Sequence, residues 1–144
     1  MQIPFVIMSS SGLGDTISMI LEKEESLYNN VYIITNKFKW DETGKAIESP
    51  SSVIHCMNKD ETAIKDHPEI YSKIKDRKNV VLMGDSLGDL GMVTGFEYEN
   101  ILKVGFLNPG EEQNEPRYRE NFDLIITNDS SAEPVKKLME EITE

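Results

Sequence analysis

Residues 83 to 92 read "MGDSLGDLGM", directly after the apolar run Val80-Val81-Leu82, and hold Asp85 and Asp89 four residues apart among glycines. Two carboxylates at the end of a strand offer hard oxygen donors to a metal, and Gly84 and Gly88 let backbone come close to a metal or phosphate. Asp and Gly are also the ordinary residues of turns and helix caps, so the stretch needs company before it means chemistry. Two other segments supply it. "SSSGLGD", residues 9 to 15, brings three hydroxyls, two glycines and the start of a helix, whose free N–H groups suit an oxyanion. It is not a Walker loop, because the Gly-Lys-Ser/Thr ending is missing. Lys59 stands just before Asp60, a helix-cap residue type, and can present an ammonium to a phosphate.

The elements that must position these residues follow from periodicity. Ile3 to Met8 reads as a buried strand, and Thr16 to Leu27 as an amphipathic helix capped by Asp15. "VYIIT", residues 31 to 35, is a second strand, and "KFKWDETGKAIE" is a hairpin turning at Asp41 to Gly44. Helical segments broken by Pro68 fill Asp60 to Lys75. Strand "NVVLM", a short helix after Gly88, strand "ILKVGFL", a polar loop or helix around "NPGEEQNEPRYRE", strand "DLIIT" and a helix from Ala132 complete the order. The "NPGEEQNEP" part reads as a solvated loop. Strands alternating with helices predict a parallel, doubly wound sheet. In such sheets ligands bind beyond the carboxyl ends of the strands, where the loops after Met8 and Met83 both emerge.

Composition narrows the classes. At 144 residues the chain has the length of one domain. A net charge of −11 disfavours nucleic acid as a partner. No apolar run is long enough for a membrane helix, and the N-terminus lacks the basic start of a signal peptide, so the expected location is cytoplasmic with no membrane partner. The one cysteine, Cys56, has no disulfide partner in the chain, and with two histidines a zinc site is not expected.

Taken in order, a strand ending in serine, a lysine at a helix start and Gly-Asp-x-x-x-Asp after a strand resemble motifs two, three and four of the haloacid dehalogenase-like phosphatases. "SGLGD", "ITNKFKWDETG", "HCMNKDETA", "GDSLGDLGM" and "ILKVGFLN" are similar, more narrowly, to the second half of the cytosolic pyrimidine 5′-nucleotidases, 5′-nucleotidase type III. The resemblance implies phosphate binding by Ser10, with Ser11 and Gly12 in the same loop and Ser9 as a shifted alternative. It implies that Lys59 balances charge on the phosphate and on the nucleophile. Asp85 falls on the magnesium ligand, Asp89 on the second catalytic carboxylate, which holds metal-bound water or nearby donors, and Ser86 beside them helps orient that shell. Mg2+ is the implied cofactor, and a nucleoside monophosphate, expected to be a pyrimidine one, the substrate, with phosphate as product.

The departures carry as much information. The family begins with an Asp-x-Asp-x-Thr/Ser strand that supplies the nucleophile and the general acid and base, followed by a helical cap that reads the nucleoside. Neither pattern occurs in residues 1–144. The expectation is therefore an α/β, Rossmann-like parallel sheet of haloacid dehalogenase type, lacking its central first strand and carrying an appended β-hairpin. Residues 1–144 would be the rear half of the catalytic core. Backbone groups facing the gap would cost about 1–3 kcal/mol each if buried and unpaired. A missing N-terminal segment or a strand-donating protomer would complete the sheet, and the chain alone would be inactive. A non-catalytic phosphate- or magnesium-binding or association module is the alternative. The receiver domains, which also cluster aspartates on a parallel sheet, fit poorly because their Thr/Ser and Lys strands do not follow in order.

Overall fold

The computed structural model describes residues 3–48, 53–55 and 58–143, so Met1 and Cys56 lie outside the described residues. The chain divides into two compact units, Met1–Asp76 with Thr94–Phe96, and Arg77–Val93 with Glu97–Glu144.

In the first unit, β1 (Phe5–Ser9) and β2 (Val31–Thr35) pair in parallel, in register from Phe5 with Val31 to Ser9 with Thr35. A parallel pair needs a crossover, and α1 (Asp15–Lys23) supplies it. β1 starts two residues later than the apolar run suggests. Pro4 has no N–H to donate, and the first strand-edge bond runs from Phe5 N–H to the Asn30 carbonyl at 2.8 Å. Asp15 is not the cap of α1 as the sequence predicts: Gly14 takes that position without a side-chain bond, and Asp15 is the first helical residue. A carboxylate is favourable at either place, beside the positive end of the helix, so composition does not separate them. The helix stops before Leu27, because Glu25 turns into the left-handed region at φ 52°.

The hairpin forms as predicted from β3 (Lys39–Trp40) and β4 (Ala46–Glu48), antiparallel. Its turn is built on Asp41, whose carboxylate accepts from the Thr43 and Lys45 N–H groups at 2.9 Å each. These bonds, with that from the Thr43 hydroxyl foremost, hold the Asp41 carboxyl below its usual range. Asp60 caps α2 (Glu61–Lys65) by accepting from Thr62 N–H at 2.9 Å, and Pro68 opens α3 (Pro68–Ile74) as its first residue.

The second unit is a three-stranded parallel sheet in the order β5 (Asn79–Gly84), β6 (Asn100–Leu107), β7 (Leu124–Thr127). A 3-10 turn, Leu87–Val93, follows β5. Of the two readings of the "NPGEEQNEPRYRE" stretch, loop or helix, its second part takes the helical one: after a short 3-10 turn, Glu115–Asn121 form α4, with Pro116 in the first turn, where its missing N–H costs nothing. The last helix is α5 (Glu133–Thr143). Side chains alternate across the strands. Val104 and Ile126 pack with Val135 of α5, while Leu107 packs on the other face with Tyr118 and Phe122. Cover on both faces explains why these strands read as nearly continuous apolar runs. Among the described residues, β1 pairs with β2 alone and β5 with β6 alone, leaving one edge of each without a ladder. No helix of the described residues is long and apolar enough to cross a membrane.

Candidate functional site

In the second unit, β5 ends at Gly84, and the chain turns at Asp85 and Ser86 into the 3-10 turn that carries Asp89. Asp89 is 4% exposed and its carboxylate folds back on the loop, accepting from the N–H groups of Asp85 at 3.2 Å and Ser86 at 3.1 Å. Asp85 itself is exposed. The two aspartates thus do different work: Asp89 sets the loop's shape, while the Asp85 carboxylate faces the medium from the carboxyl end of a parallel strand. The Ser86 hydroxyl accepts from Gly88 N–H at 2.9 Å and closes the turn.

Gly84 is required by this arrangement. A Cβ there would collide with the Cβ of Asp89 and come within 2.7 Å of its Oδ2. Gly84→Ala is accordingly expected to force Asp89 off the loop amides and to lower stability by about 1–3 kcal/mol. Urea unfolding measures the loss, and a midpoint equal to the parent's would show that Asp89 has room to give.

Tyr118 of α4 also reaches this loop. It is 3% exposed, and its hydroxyl donates to the Asp85 carbonyl at 2.5 Å. Burial, with Glu111, Asp85 and Asp89 nearby, pushes the phenol above its ordinary range, so it remains a donor at neutral pH. Sequence reading missed Tyr118, which carries no motif and lies 33 positions from its partner.

In the first unit, the loop after β1 is bracketed by its own serines. The Ser9 hydroxyl accepts from Ser11 N–H and the Ser11 hydroxyl from Leu13 N–H, both at 3.1 Å. Among the described residues the Ser10 hydroxyl takes no part in these brackets, and Ser10, Ser11 and Gly12 are all exposed. Asn36, 5% exposed just past β2, clamps this loop to the segment leading to Lys59. Its amide donates to the carbonyls of Ser10 at 3.1 Å and Ile54 at 2.9 Å, and its oxygen accepts from Ile54 N–H at 2.8 Å. This residue too escaped sequence reading, because an Asn after a strand signals a turn before it signals a clamp.

Lys59 is half-buried ahead of the Asp60 cap. The helix it introduces is tied down by Glu61, which meets Lys65 at 2.8 Å and accepts from the Tyr71 hydroxyl at 3.1 Å. Lys65, then Tyr71, hold the Glu61 carboxyl below its usual range, although burial opposes them. Glu61 N–H donates to the Thr94 carbonyl at 3.2 Å.

Among the described residues no three His, Cys, Asp or Glu side chains gather as a metal cage. The exposed Asp85 carboxylate at the end of β5 is a hard oxygen donor that could hold a hydrated divalent cation such as Mg2+.

The chain is 32% identical over 141 residues to the human 7-methylguanosine phosphate-specific 5′-nucleotidase, covering 97% of this chain and 46% of that protein. It is 31% identical over 143 residues to the B form of that enzyme from Xenopus laevis, covering 99% and 49%. The crystal structure of cytosolic 5′-nucleotidase IIIB bound to cytidine is similar at a TM-score of 0.85 and 29% identity, over 98% of this chain and 47% of that one. The chain spans about half the length of the curated relatives it matches. The family described as pyrimidine 5′-nucleotidase (UMPH-1) matches residues 1–143, and the chain belongs to that family.

Proposed function

We propose that this chain is the rear half of the haloacid dehalogenase-like catalytic core of a cytoplasmic, magnesium-dependent 5′-nucleotidase, hydrolysing a nucleoside monophosphate to nucleoside and phosphate. The observation that carries the reading is the Asp85 loop: an exposed carboxylate at the carboxyl end of a parallel strand, its backbone held by the buried Asp89. Asp85 is the metal ligand, and Asp89 and Ser86 fix its loop. Bound Mg2+ would neutralise charge on the transferring phosphoryl group. Ser10, with Ser11 and Gly12, takes the phosphate oxygens. The brackets made by the Ser9 and Ser11 hydroxyls favour Ser10 over Ser9 for this task. Lys59 supplies the balancing cation, its helix start fixed by Asp60 and Glu61.

The aspartate pair of the reaction belongs to chain outside these residues, since no Asp-x-Asp occurs in 1–144. One aspartate attacks phosphorus as the bond to the nucleoside 5′ oxygen breaks, and the second gives that oxygen its proton. Water then cleaves the aspartyl phosphate, releasing phosphate and the free carboxylate. The unladdered edges of β1 and β5 support a reading in which a strand from that chain, or from a strand-donating protomer, completes the sheet. Pyrimidine nucleotides are the expected substrates, in keeping with the family's description and with the cytidine bound by the structural relative, and 7-methylguanosine phosphate, for which the curated relatives are named, is the competing one.

Ser10→Ala and Lys59→Ala test the phosphate assignment in the full-length protein. Each is expected to raise KM for the nucleoside monophosphate and the inhibition constant of inorganic phosphate together, by about tenfold for a charge-assisted contact. Unchanged phosphate inhibition in both variants would refute it, whereas a full-length protein that binds phosphate without turnover would favour the non-catalytic module.

A further inference from the structure

We infer that Tyr118 is a positioning residue for the metal carboxylate: its hydroxyl pins the peptide that joins Asp85 to Ser86, and so fixes where the Asp85 side chain stands. The inference deepens the magnesium assignment and rests on it. One peptide unit carries both the Asp85 carbonyl and the Ser86 N–H. The carbonyl accepts from the Tyr118 hydroxyl at 2.5 Å, and the N–H donates to the Asp89 carboxylate at 3.1 Å. A peptide held at both ends is tethered to α4 on one side and to the Asp89 carboxylate on the other. Without the Tyr118 tether the end of the loop can shift away from α4, and because the peptide is planar and rigid such a shift carries the Asp85 Cα and its side chain with it.

The anchor is itself fixed. The Tyr118 ring packs on Phe122, centroids 5.1 Å apart and planes inclined by 34°, in the cluster on one face of the sheet. Both rings lie against Gly105 of β6, where a Cβ would come within 2.7 Å of Phe122 Cδ2 and 3.1 Å of Tyr118 Cδ1. A glycine on the middle strand thus admits the ring, and the ring carries a hydroxyl to the loop at the end of the neighbouring strand. Tyr118 also forms part of the wall of a cleft of about 230 Å3 shared with Asp85 and Ser86. Water entering there would be the competitor for the Asp85 carbonyl once the hydroxyl is gone.

The alternative is that the bond only satisfies a buried phenol, which would cost stability and nothing else when removed. Tyr118→Phe in the full-length protein separates the two, since it keeps the ring and removes the O–H. The magnesium concentration for half-maximal turnover is expected to rise about three- to tenfold, the worth of one hydrogen bond, with KM for substrate unchanged at saturating magnesium. In the metal-free protein, exchange of the Ser86 amide is expected to quicken by a similar factor. If either readout stays at the parent value while Asp85→Asn loses its magnesium response, the inference is overturned and the metal assignment stands. If Asp85→Asn keeps the parent's magnesium response, the metal assignment fails and the inference falls with it.

Discussion

Asp85→Asn is expected to lower magnesium-dependent turnover of the full-length protein by about a hundredfold or more, and Asp41→Asn to leave it within about twofold. The size of the first effect follows from what a catalytic metal contributes, several kcal/mol of stabilisation on a phosphoryl group whose charge builds in the transition state. An amide keeps the volume of the carboxylate but presents one neutral oxygen to the cation. The effect should therefore fall on metal dependence and rate, with the fold intact, because the Asp85 side chain is exposed and the loop is shaped by Asp89 and Tyr118. Asp41 is the right control. It is another loop aspartate with several hydrogen bonds, yet it serves the hairpin turn, and asparagine retains an oxygen to accept from Thr43 and Lys45. Turnover is followed as phosphate release across a magnesium titration. Equal losses in the two variants would remove Asp85 from its assigned role.

The 144 residues by themselves are expected to show no measurable turnover of pyrimidine nucleoside monophosphates with magnesium, and co-expression with an Asp-x-Asp strand and cap is expected to restore it. A missing acid costs about 10²- to 10⁴-fold, and a missing nucleophile removes the covalent route altogether. No group among the described residues substitutes. Among the described residues no base hydrogen-bonds the Ser10 hydroxyl, and its loop is organised by serine hydroxyls and the Asn36 amide. Restoration should come with a gain in stability, as β1 and β5 acquire partners along their open edges. Phosphate release at matched protein concentration is the measure, with Lys59→Ala as the check for contaminating phosphatase. Turnover by the 144 residues that vanishes in Lys59→Ala would mean that these residues hold the whole catalytic machinery.

The sequence alone determined whatever depends on neighbours a few positions apart. Val31 to Thr35 forms the strand its apolar run predicts, the Asp41–Gly44 turn makes the hairpin, Asp60 caps α2 and Pro68 opens α3. Strand period, turn chemistry and capping act over two to four residues, so the residue types disclose them. The order of the serine, lysine and Gly-Asp segments also points to the family whose model matches the chain. Local signals failed where two outcomes use the same residue. Asp15 suits a cap or a first turn equally well, and "NEPRYREN" is polar enough for a loop yet folds as α4 because Tyr118 buries itself on the sheet. Tertiary structure alone decided which groups hold the candidate loops. Asn36 clamps backbone 26 and 18 positions away, and Tyr118 reaches Asp85 across 33. It also separated Asp89, turned onto its own loop, from the exposed Asp85, though the two look alike in "GDSLGD". A side chain that bonds to a distant backbone group leaves no period or spacing in the sequence, because its partner is a peptide that every residue possesses.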